Sequence, residues 1–373
     1  MKIILKSYSP KAAATKAYFD AISSSDNFEV LATDDYENAE VALFMTYSSD
    51  LKELERVKRL HPNIKTAILD PRGVEVIPYL QFCDFLVMDS IEMRDYFAEF
   101  NLPIFTYFEF PLFECPRKVH KEKDSIIIGY HGNKVHLTAM FPKITTALKV
   151  LSHEFEIELW AIYDVKGLGY WNIGVPDDVK IRHIQWHPNV YINEMPNIDI
   201  GIIPSSMPIK HVSKMSRFFL DAPEDYVIKF KMPSNPGRLA VFAQIGIPVV
   251  ADFLPSHFQF IDEGRSGFLA DSTGMWLQSL RSLIESANLR KEFADNMSKT
   301  YGENFCFKTQ NKKFYHWLAE FISLDSPEEI KLLVTKDIEK PRYIEHLKFK
   351  HAFLYDTFFK LVRKFGKIFG AKK

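Results

Sequence analysis

The sequence predicts an α/β protein with two doubly wound, Rossmann-like domains that face a cleft, followed by an amphipathic helical tail. Three observations predict this class: short apolar segments alternate with helical patterns, a charged segment interrupts the alternation, and 373 residues exceed the usual size of one domain. Strands that alternate with helices pair in parallel, because parallel neighbours need long crossover connections. The expected divisions are 1–112 (first domain), 113–124 (linker), 125–305 (second domain), 306–323 (a helix that crosses back to the first domain) and 324–373 (basic tail).

In the first domain, apolar segments and helical patterns follow one another in short steps. Strands are predicted at 3–5, 28–32, 41–45, 66–69, 85–88 and 103–108, and helices at 11–22, 50–60 and 91–99. Ser90 is a suitable N-cap for the third helix, since its hydroxyl can accept from a free backbone N–H. The segment 111–124 has two prolines, a charge run and no hydrophobic period, and is therefore the predicted linker.

The second domain repeats the alternation. Strands are predicted at 126–128, 157–162, 179–184, 199–203 and 247–251, and helices at 141–151, 236–244, 276–287, 289–301 and 308–323. Gly246 is expected to end the helix 236–244 as its C-cap. In doubly wound sheets, ligands bind beyond the carboxyl ends of the strands, so loops at those ends are the candidate functional segments.

Composition excludes several classes of protein. Hydrophobic residues make up 47% and charged residues 25% of the chain, which excludes wholesale disorder. A net charge of −1 gives no overall field that attracts nucleic acid. There is no apolar run long enough for a spanning helix, and the N-terminal apolar segment is too short for a signal peptide. The three cysteines form no CxxC pair or disulfide framework, so we expect a cytoplasmic protein.

The segment 229–270 carries a family resemblance. It contains Ser234-Asn235-Pro236-Gly237-Arg238, then Gly246-Ile247-Pro248-Val249-Val250, then Asp262-Glu263-Gly264-Arg265-Ser266-Gly267-Phe268-Leu269. This order resembles the C-terminal half of GT-B glycosyltransferases, the nucleotide-sugar-dependent enzymes of bacterial glycan assembly. Gly129-Tyr130-His131-Gly132-Asn133 is similar in pattern to the first loop of their nucleotide-binding domain. The resemblance covers residues 2–321 and implies a GT-B fold and sugar transfer to a hydroxyl.

One feature of many retaining members of the family is missing. Those enzymes carry two glutamates eight residues apart in this segment, and the corresponding positions here are Pro233 and Val241. In the family, the second glutamate holds the donor ribose. The sequence therefore leaves the ribose contact and the retaining or inverting outcome open.

The residues around Pro236 have the chemistry of a diphosphate site. Proline presets the start of a helix, Ser234 or Asn235 can cap it, and free amides at a helix N-terminus bind phosphate. Gly237 removes a Cβ where a ligand approaches closely. Lys231 and Arg238 add positive charge, which a diphosphate leaving group needs. We therefore predict nucleotide-sugar binding here; the alternative is an ordinary helix cap with an exposed arginine.

Further donor contacts are predicted at two other loops of the second domain. His131, Gly132, Asn133 and Lys134 follow its first strand and can contact phosphate or sugar, and His131 can also act as an acid or a base. The alternative is a tight turn. Trp186 follows another strand and can stack on the base, although a core tryptophan is the simpler reading. His136 is expected to be helix surface or core.

The first domain is expected to bind the acceptor. Asp70 lies in Asp70-Pro71-Arg72-Gly73 after a strand, where a carboxylate can deprotonate an acceptor hydroxyl if the reaction inverts configuration. The alternative is a simple turn, since Asp-Pro-x-Gly favours one. Lys6, Tyr8 and Arg72 are predicted to line the same cleft. The sequence has no DxD motif in a suitable loop, so no metal and no cofactor is predicted.

The C-terminal segment 346–373 has the pattern of a membrane-surface helix. Five apolar residues share one helix face at spacings of 3 and 4: Leu354, Phe358, Leu361, Phe365 and Ile368. Eight lysines and arginines stand against one acid, Asp356, which favours an anionic membrane surface. The alternative is packing on the protein or on a second subunit.

These residues together predict a glycosyltransferase at the cytoplasmic face of the membrane. Its predicted partners are a nucleotide-sugar donor, a glycan or lipid-linked acceptor and an anionic membrane surface, with no nucleic acid; the oligomeric state stays open. Two other functions fit the same pattern. A UDP-sugar 2-epimerase shares the architecture, and a non-catalytic nucleotide- or glycan-binding protein would need only the donor site.

Overall fold

A computed structural model describes residues 1–72, 74–206 and 235–323, which form two six-stranded parallel sheets with flanking helices. The strand orders are β2-β1-β3-β4-β5-β6 and β12-β11-β10-β7-β8-β9. These orders confirm the predicted α/β class with two doubly wound, Rossmann-like units. The predicted tail 324–373 lies outside the described residues. Among the helices of the described ranges, we find none with the length and hydropathy of a membrane span.

The first sheet is built from residues 2–106. Its strands are β1 (Lys2–Lys6), β2 (Glu29–Val30), β3 (Val41–Met45), β4 (Lys65–Leu69), β5 (Phe85–Met88) and β6 (Ile104–Thr106). Its helices are α1 (Ala13–Ser23), α2 (Ser48–Leu60) and α3 (Ile91–Phe97), with 3-10 helices at Val74–Phe82 and Ala98–Phe100. Ser90 caps α3 as predicted, because its hydroxyl accepts from the Met93 amide.

The second sheet is built from residues 125–270. Its strands are β7 (Ser125–His131), β8 (Glu156–Tyr163), β9 (Lys180–Gln185), β10 (Ile200–Ile203), β11 (Val249–Asp252) and β12 (Phe268–Ala270). Its helices are α4 (Lys143–Ser152), α5 (Val165–Leu168), α6 (Val190–Asn193), α7 (Gly237–Ile245), α8 (Pro255–Phe258), α9 (Thr273–Glu285) and α10 (Ala287–Asn304). Two 3-10 helices, Lys134–Met140 and Met195–Asn197, complete the set, and α11 (Phe307–Ser323) follows.

The prediction of a loop at residues 129–131 is wrong, because β7 continues to His131 and pairs with β8 along its whole length. Gly129 is inside this strand. A Cβ there would lie 2.3 Å from the Cδ1 atom of Ile198, which lies just before β10. Close packing of Ile198 on β7 therefore requires a glycine at position 129. The glycine therefore has a role in the core and does not open a phosphate loop. The short strand β12 was also not predicted.

The helix α11 packs on the first sheet. Its Phe314 side chain is fully buried, with ring centroids 5.8 Å from Phe28 and 4.9 Å from Phe105. Asn311 on the same face donates to the Ala21 carbonyl at 2.8 Å and accepts from the Tyr107 hydroxyl at 2.8 Å. The described part of the chain therefore ends on the sheet with which it began.

Each sheet has one switch point, where the chain reverses its direction of growth across the sheet. In the second sheet, β7 lies beside β10; in the first, β1 lies beside β3. Because all strands of a sheet are parallel, the segments that follow these strands emerge at one edge. Ligands of open α/β sheets bind at this edge near the switch point. The segments after β3, β4 and β6 and those after β7 and β10 are therefore the places to look for a site.

Candidate functional site

A cavity of about 540 Å³ lies between these two sheet edges. The first-domain wall includes Thr46 after β3, Asp70 and Arg72 after β4, and Glu109 after β6. The second-domain wall is formed after β7 and at the start of α7, by His131, Gly132, Asn133, Asn235, Gly237 and Arg238. Eight of the predicted site residues therefore meet in one cavity: Asp70, Arg72, His131, Gly132, Asn133, Asn235, Gly237 and Arg238. A cleft between two domains is a common place for a small-molecule site.

Asn235 organises the start of α7. Its backbone has φ +77°, a conformation that asparagine tolerates better than most residues. The N-cap position is Pro236, and Asn235 precedes it; the Asn235 Oδ1 atom accepts from the Gly237 amide at 2.5 Å. The Nδ2 atom donates to Glu109 Oε2 at 2.6 Å, which ties the start of α7 to the first domain. The Gly237 amide, one of those predicted to bind phosphate, therefore already has a hydrogen-bond partner.

Gly237 is buried against the first domain. A Cβ at this position would lie 2.4 Å from the Glu109 carbonyl oxygen, far inside van der Waals contact. The sequence predicted that a ligand makes the close approach here, whereas in the structure the backbone at Glu109 makes it. The glycine allows α7 to begin at the wall of the cavity.

Arg238 is the cation on the second-domain wall. Its guanidinium donates to the Pro204 carbonyl at 2.8 Å and to the Ser205 hydroxyl at 2.6 Å, both in the segment after β10. The guanidinium carbon also lies 5.9 Å from the centroid of the Tyr130 ring. Burial lowers the pKa of Arg238, but a guanidinium remains charged in proteins. The arginine is thus half-buried and held in place, unlike the exposed arginine of the alternative interpretation.

Two histidines face Arg238, and both are held neutral. Burial, with a smaller effect of Arg238, lowers the pKa of His131 to about 3. His136, predicted as surface or core, is at the cavity wall, and its buried Nδ1 atom has no hydrogen-bond partner among the described residues. Burial and the charges of Arg238 and Arg72 lower its pKa well below the usual range. At neutral pH these rings can exchange hydrogen bonds with a ligand but do not supply a proton.

A carboxylate cluster surrounds Arg72 on the first-domain wall. Its Nε atom donates to Asp70 Oδ1 at 2.7 Å and Oδ2 at 2.8 Å, and its Nη2 atom contacts Asp89. Burial raises the pKa of Asp70, although Arg72 opposes the shift. Burial also raises the pKa of Glu109, to about 7. Two carboxyl groups thus pair with the Arg72 guanidinium and a third, Glu109, lies near enough to be affected by its charge, so this wall is acidic where the opposite wall is cationic.

Two predicted donor residues lie away from the cavity wall. The Lys134 ammonium donates to the Leu168 carbonyl at 2.6 Å, because the 3-10 helix that begins there turns the side chain outward. The indole of Trp186 donates to the Tyr191 hydroxyl at 3.3 Å, and Tyr191 itself lines the cavity. Lys231 and Ser234, predicted in the same site, lie outside the described residues.

The predicted acceptor residues after β1 also lie apart from the cavity. The Lys6 ammonium donates to the Thr33 carbonyl at 3.4 Å. The Tyr8 side chain is 59% exposed, and its backbone amide donates to Asp50 at 2.7 Å. Lys6 and Tyr8 are therefore not part of the cavity wall, to which the chain after β1 contributes Ala13 and Ala14 at the start of α1.

Glu109 was missed by sequence reasoning, although a signal was present. The rule that identified Asp70 and His131 was their position after a strand, and Glu109 follows the predicted strand 103–108 in the same way. No role was predicted for this residue, which lies between the predicted strand 103–108 and the predicted linker segment 111–124. Within the described ranges, no group of three or more His, Cys, Asp or Glu could hold a metal ion.

Solved structures with a similar chain path include two glycosyltransferases and a protein solved with UDP and glucose. A glycosyltransferase from Rickettsia africae ESF-5 gives a TM-score of 0.52 at 13% identity, covering 86% of this chain and 84% of that one. Anabaena Alr3699/HepE, solved with UDP and glucose, gives 0.56 at 11% identity over 85% and 98%. The lipopolysaccharide outer core galactosyltransferase WaaB gives 0.52 at 13% identity over 86% and 99%.

The chain has the GT-B fold. At identities of 11–13%, the likeness concerns the fold. No protein-family model matches the sequence, and a sequence search of curated proteins finds no match. In this GT-B fold, the described cavity lies between the two Rossmann-like sheets, with Arg238 on one side and Asp70 on the other.

Replacing Gly237 with alanine tests the contact between α7 and Glu109. The new Cβ would overlap the Glu109 carbonyl, so we expect Gly237→Ala to lower the free energy of unfolding by about 1–3 kcal/mol. The control is Gly302→Ala in α10, where a Cβ meets open space. Alanine there should raise stability by about 0.4–1 kcal/mol. Urea unfolding measures both; a Gly237→Ala protein as stable as the parent would contradict this packing.

Proposed function

We propose that the protein is a glycosyltransferase that moves a sugar from a nucleotide-sugar donor to a hydroxyl of a glycan or lipid-linked acceptor. The observation that carries the proposal is the polarity of the cavity. Its second-domain wall presents a fixed arginine beside a helix start, and its first-domain wall presents carboxylates. A diphosphate matches the arginine of the second-domain wall, and the hydroxyls of a sugar match the carboxylates of the first-domain wall.

The donor is proposed to bind against the second domain. Arg238 would face the diphosphate. The wall around it would be formed by Gly132, Asn133, Asn235 and Gly237. Lys231 and Ser234, which come shortly before this helix in the sequence, would add a cation and a hydroxyl. A cation held in place before the reaction stabilises the charge that develops on the leaving diphosphate. Because no DxD motif supplies a metal site, these groups would neutralise the diphosphate themselves. The UDP-glucose complex of Anabaena Alr3699/HepE supports a UDP-sugar as donor class.

The acceptor is proposed to bind against Asp70 and Arg72. Their ion pair presents fixed donors and acceptors to sugar hydroxyls, and the positive φ of Asp70 turns this segment towards the cavity. The neutral imidazole of His131 would hydrogen-bond the transferred sugar between the two walls. Enclosure by two domains excludes water, which would otherwise hydrolyse the activated sugar.

Arg238 is the residue to change in testing donor binding. UDP should raise the melting temperature of the parent chain, and Arg238→Met should abolish this rise, because methionine keeps the apolar stem and removes the charge. The matched control is Arg265→Met, since Arg265 is exposed and pairs with Asp262 on the surface. Thermal shift with UDP, UDP-glucose and uridine measures the effect. Equal stabilisation of parent and Arg238→Met would reject this donor site, and acceptor-free interconversion of two UDP-sugars would favour an epimerase.

Membrane attachment is proposed for the segment 346–373, from its sequence pattern alone. Basic residues near an anionic surface contribute about 1 kcal/mol each, enough for reversible attachment by a helix with an apolar face.

Removing residues 346–373 tests this attachment. The full chain should float with vesicles of phosphatidylglycerol and phosphatidylcholine, and less so at high salt, whereas the shortened chain should stay in the load fraction. Vesicles of phosphatidylcholine alone are the control for charge. Equal flotation of both chains would remove the segment from membrane binding.

A further inference from the structure

Glu109 stands where the two walls of the cavity meet. It follows β6 of the first sheet, its carbonyl packs on Gly237, and its carboxylate accepts from the Asn235 side chain at 2.6 Å. The same carboxylate lines the cavity together with His131 and Arg238. Glu109 therefore belongs to the first-domain wall by its position in the chain, and it contacts the second-domain wall through Asn235 and Gly237.

The other two carboxylates of this wall are already engaged. Both oxygens of Asp70 accept from the Nε atom of Arg72, and Asp89 contacts the Nη2 atom of the same residue. In Glu109, Oε2 accepts from Asn235, and within the described residues Oε1 has no hydrogen-bond partner. Asp89 Oδ1 also has no hydrogen-bond partner among the described residues, but Asp89 is fully buried and does not line the cavity. Of the three, Glu109 is thus the cavity-lining carboxylate with an oxygen open to an incoming hydroxyl.

The surroundings of Glu109 favour a group that exchanges a proton near neutral pH. Burial raises the pKa of its carboxyl to about 7, with Asp89 adding to the rise and Arg72 and Asn235 opposing it. The charged and titratable groups around it are Asp70 and Arg72 after β4, Asp89 after β5, Tyr18 on α1, Tyr191 on α6, and His131 and Arg238 on the opposite wall. A general base works best when its pKa lies close to the operating pH.

We propose that Glu109 is the catalytic base that takes the proton of the acceptor hydroxyl, an inference that rests on the proposed glycosyl transfer. The hydroxyl oxygen forms a bond to the anomeric carbon of the sugar. The bond from that carbon to the donor diphosphate breaks, and its electron pair leaves with the diphosphate. The hydroxyl proton goes to Glu109 Oε1. A single displacement of this kind inverts the anomeric configuration.

A structural role for Glu109 predicts a different outcome, and Glu109→Gln separates the two. Glutamine keeps an oxygen that accepts from Asn235 Nδ2, so the link between the walls stays in place. It cannot take up a proton. The matched control is Glu114→Gln, the same change at an exposed residue of the same connecting segment.

The experiment measures UDP release from UDP-glucose by the full-length chain, with water or p-nitrophenyl glycosides as acceptors. For Glu109→Gln we expect kcat to fall about 100-fold or more, with KM for UDP-glucose and the thermal shift by UDP within about threefold of the parent. In the parent and in Glu114→Gln, kcat should rise with pH through about 7, since the base must be ionised. In Glu109→Gln this rise should disappear.

The outcomes separate the inference from the function on which it rests. Three results would show that Glu109 is not the base: a kcat of Glu109→Gln within about threefold of the parent, an unchanged rise of its kcat with pH, or a product that retains the anomeric configuration. Any of these leaves the proposed function in place. If the parent chain releases no UDP from UDP-glucose, the proposed function fails and the inference fails with it.

Discussion

The contact between the start of α7 and the backbone at Glu109 determines the geometry of the site. It brings the first turn of a second-domain helix against the segment that follows the last strand of the first sheet. A side chain larger than hydrogen at position 237 would separate the two surfaces. Because Arg238 is the next residue, the same contact sets the place of the guanidinium at the cavity wall. The position of the cation in the cleft therefore depends on a glycine and on the asparagine that precedes the helix.

Charge separation across the cavity follows from this arrangement. Arg238 is anchored to the segment after β10, whereas Arg72 is enclosed by Asp70 and Asp89. The first cation is bonded to neutral groups and keeps its full charge for an anion, while the second is already neutralised. The two buried histidines between them carry no charge near pH 7. The cavity thus has an arginine bonded to neutral groups on one side and an arginine paired with carboxylates on the other.

Much of the fold was predictable, because hydrophobic periodicity and caps are local signals. The strand 41–45 and the end of α7 at Gly246 agree with prediction, and Ser90 caps α3 as expected. The loop predicted at 129–131 was wrong because the need for Gly129 comes from Ile198, a contact distant in sequence.

The site was predictable in part, since position after a strand identifies a loop but not the direction of each side chain. That rule identified Asp70, His131 and the start of α7. It could not show that Lys134 bonds to the Leu168 carbonyl or that Lys6 and Tyr8 lie apart from the cavity. Glu109 also follows a predicted strand, but its pairing with Asn235 spans 126 residues of sequence, so no local pattern indicated its place in the site.

We propose that Arg238 and the start of α7 hold a diphosphate inside the cleft. A crystal structure of this chain with UDP would show the position of the diphosphate. We expect phosphate oxygens within hydrogen-bond distance of the Arg238 guanidinium, inside the cavity that Asp70 and Glu109 line from the other side. A diphosphate bound elsewhere on the chain, or one that leaves Arg238 paired only with Pro204 and Ser205, would contradict it.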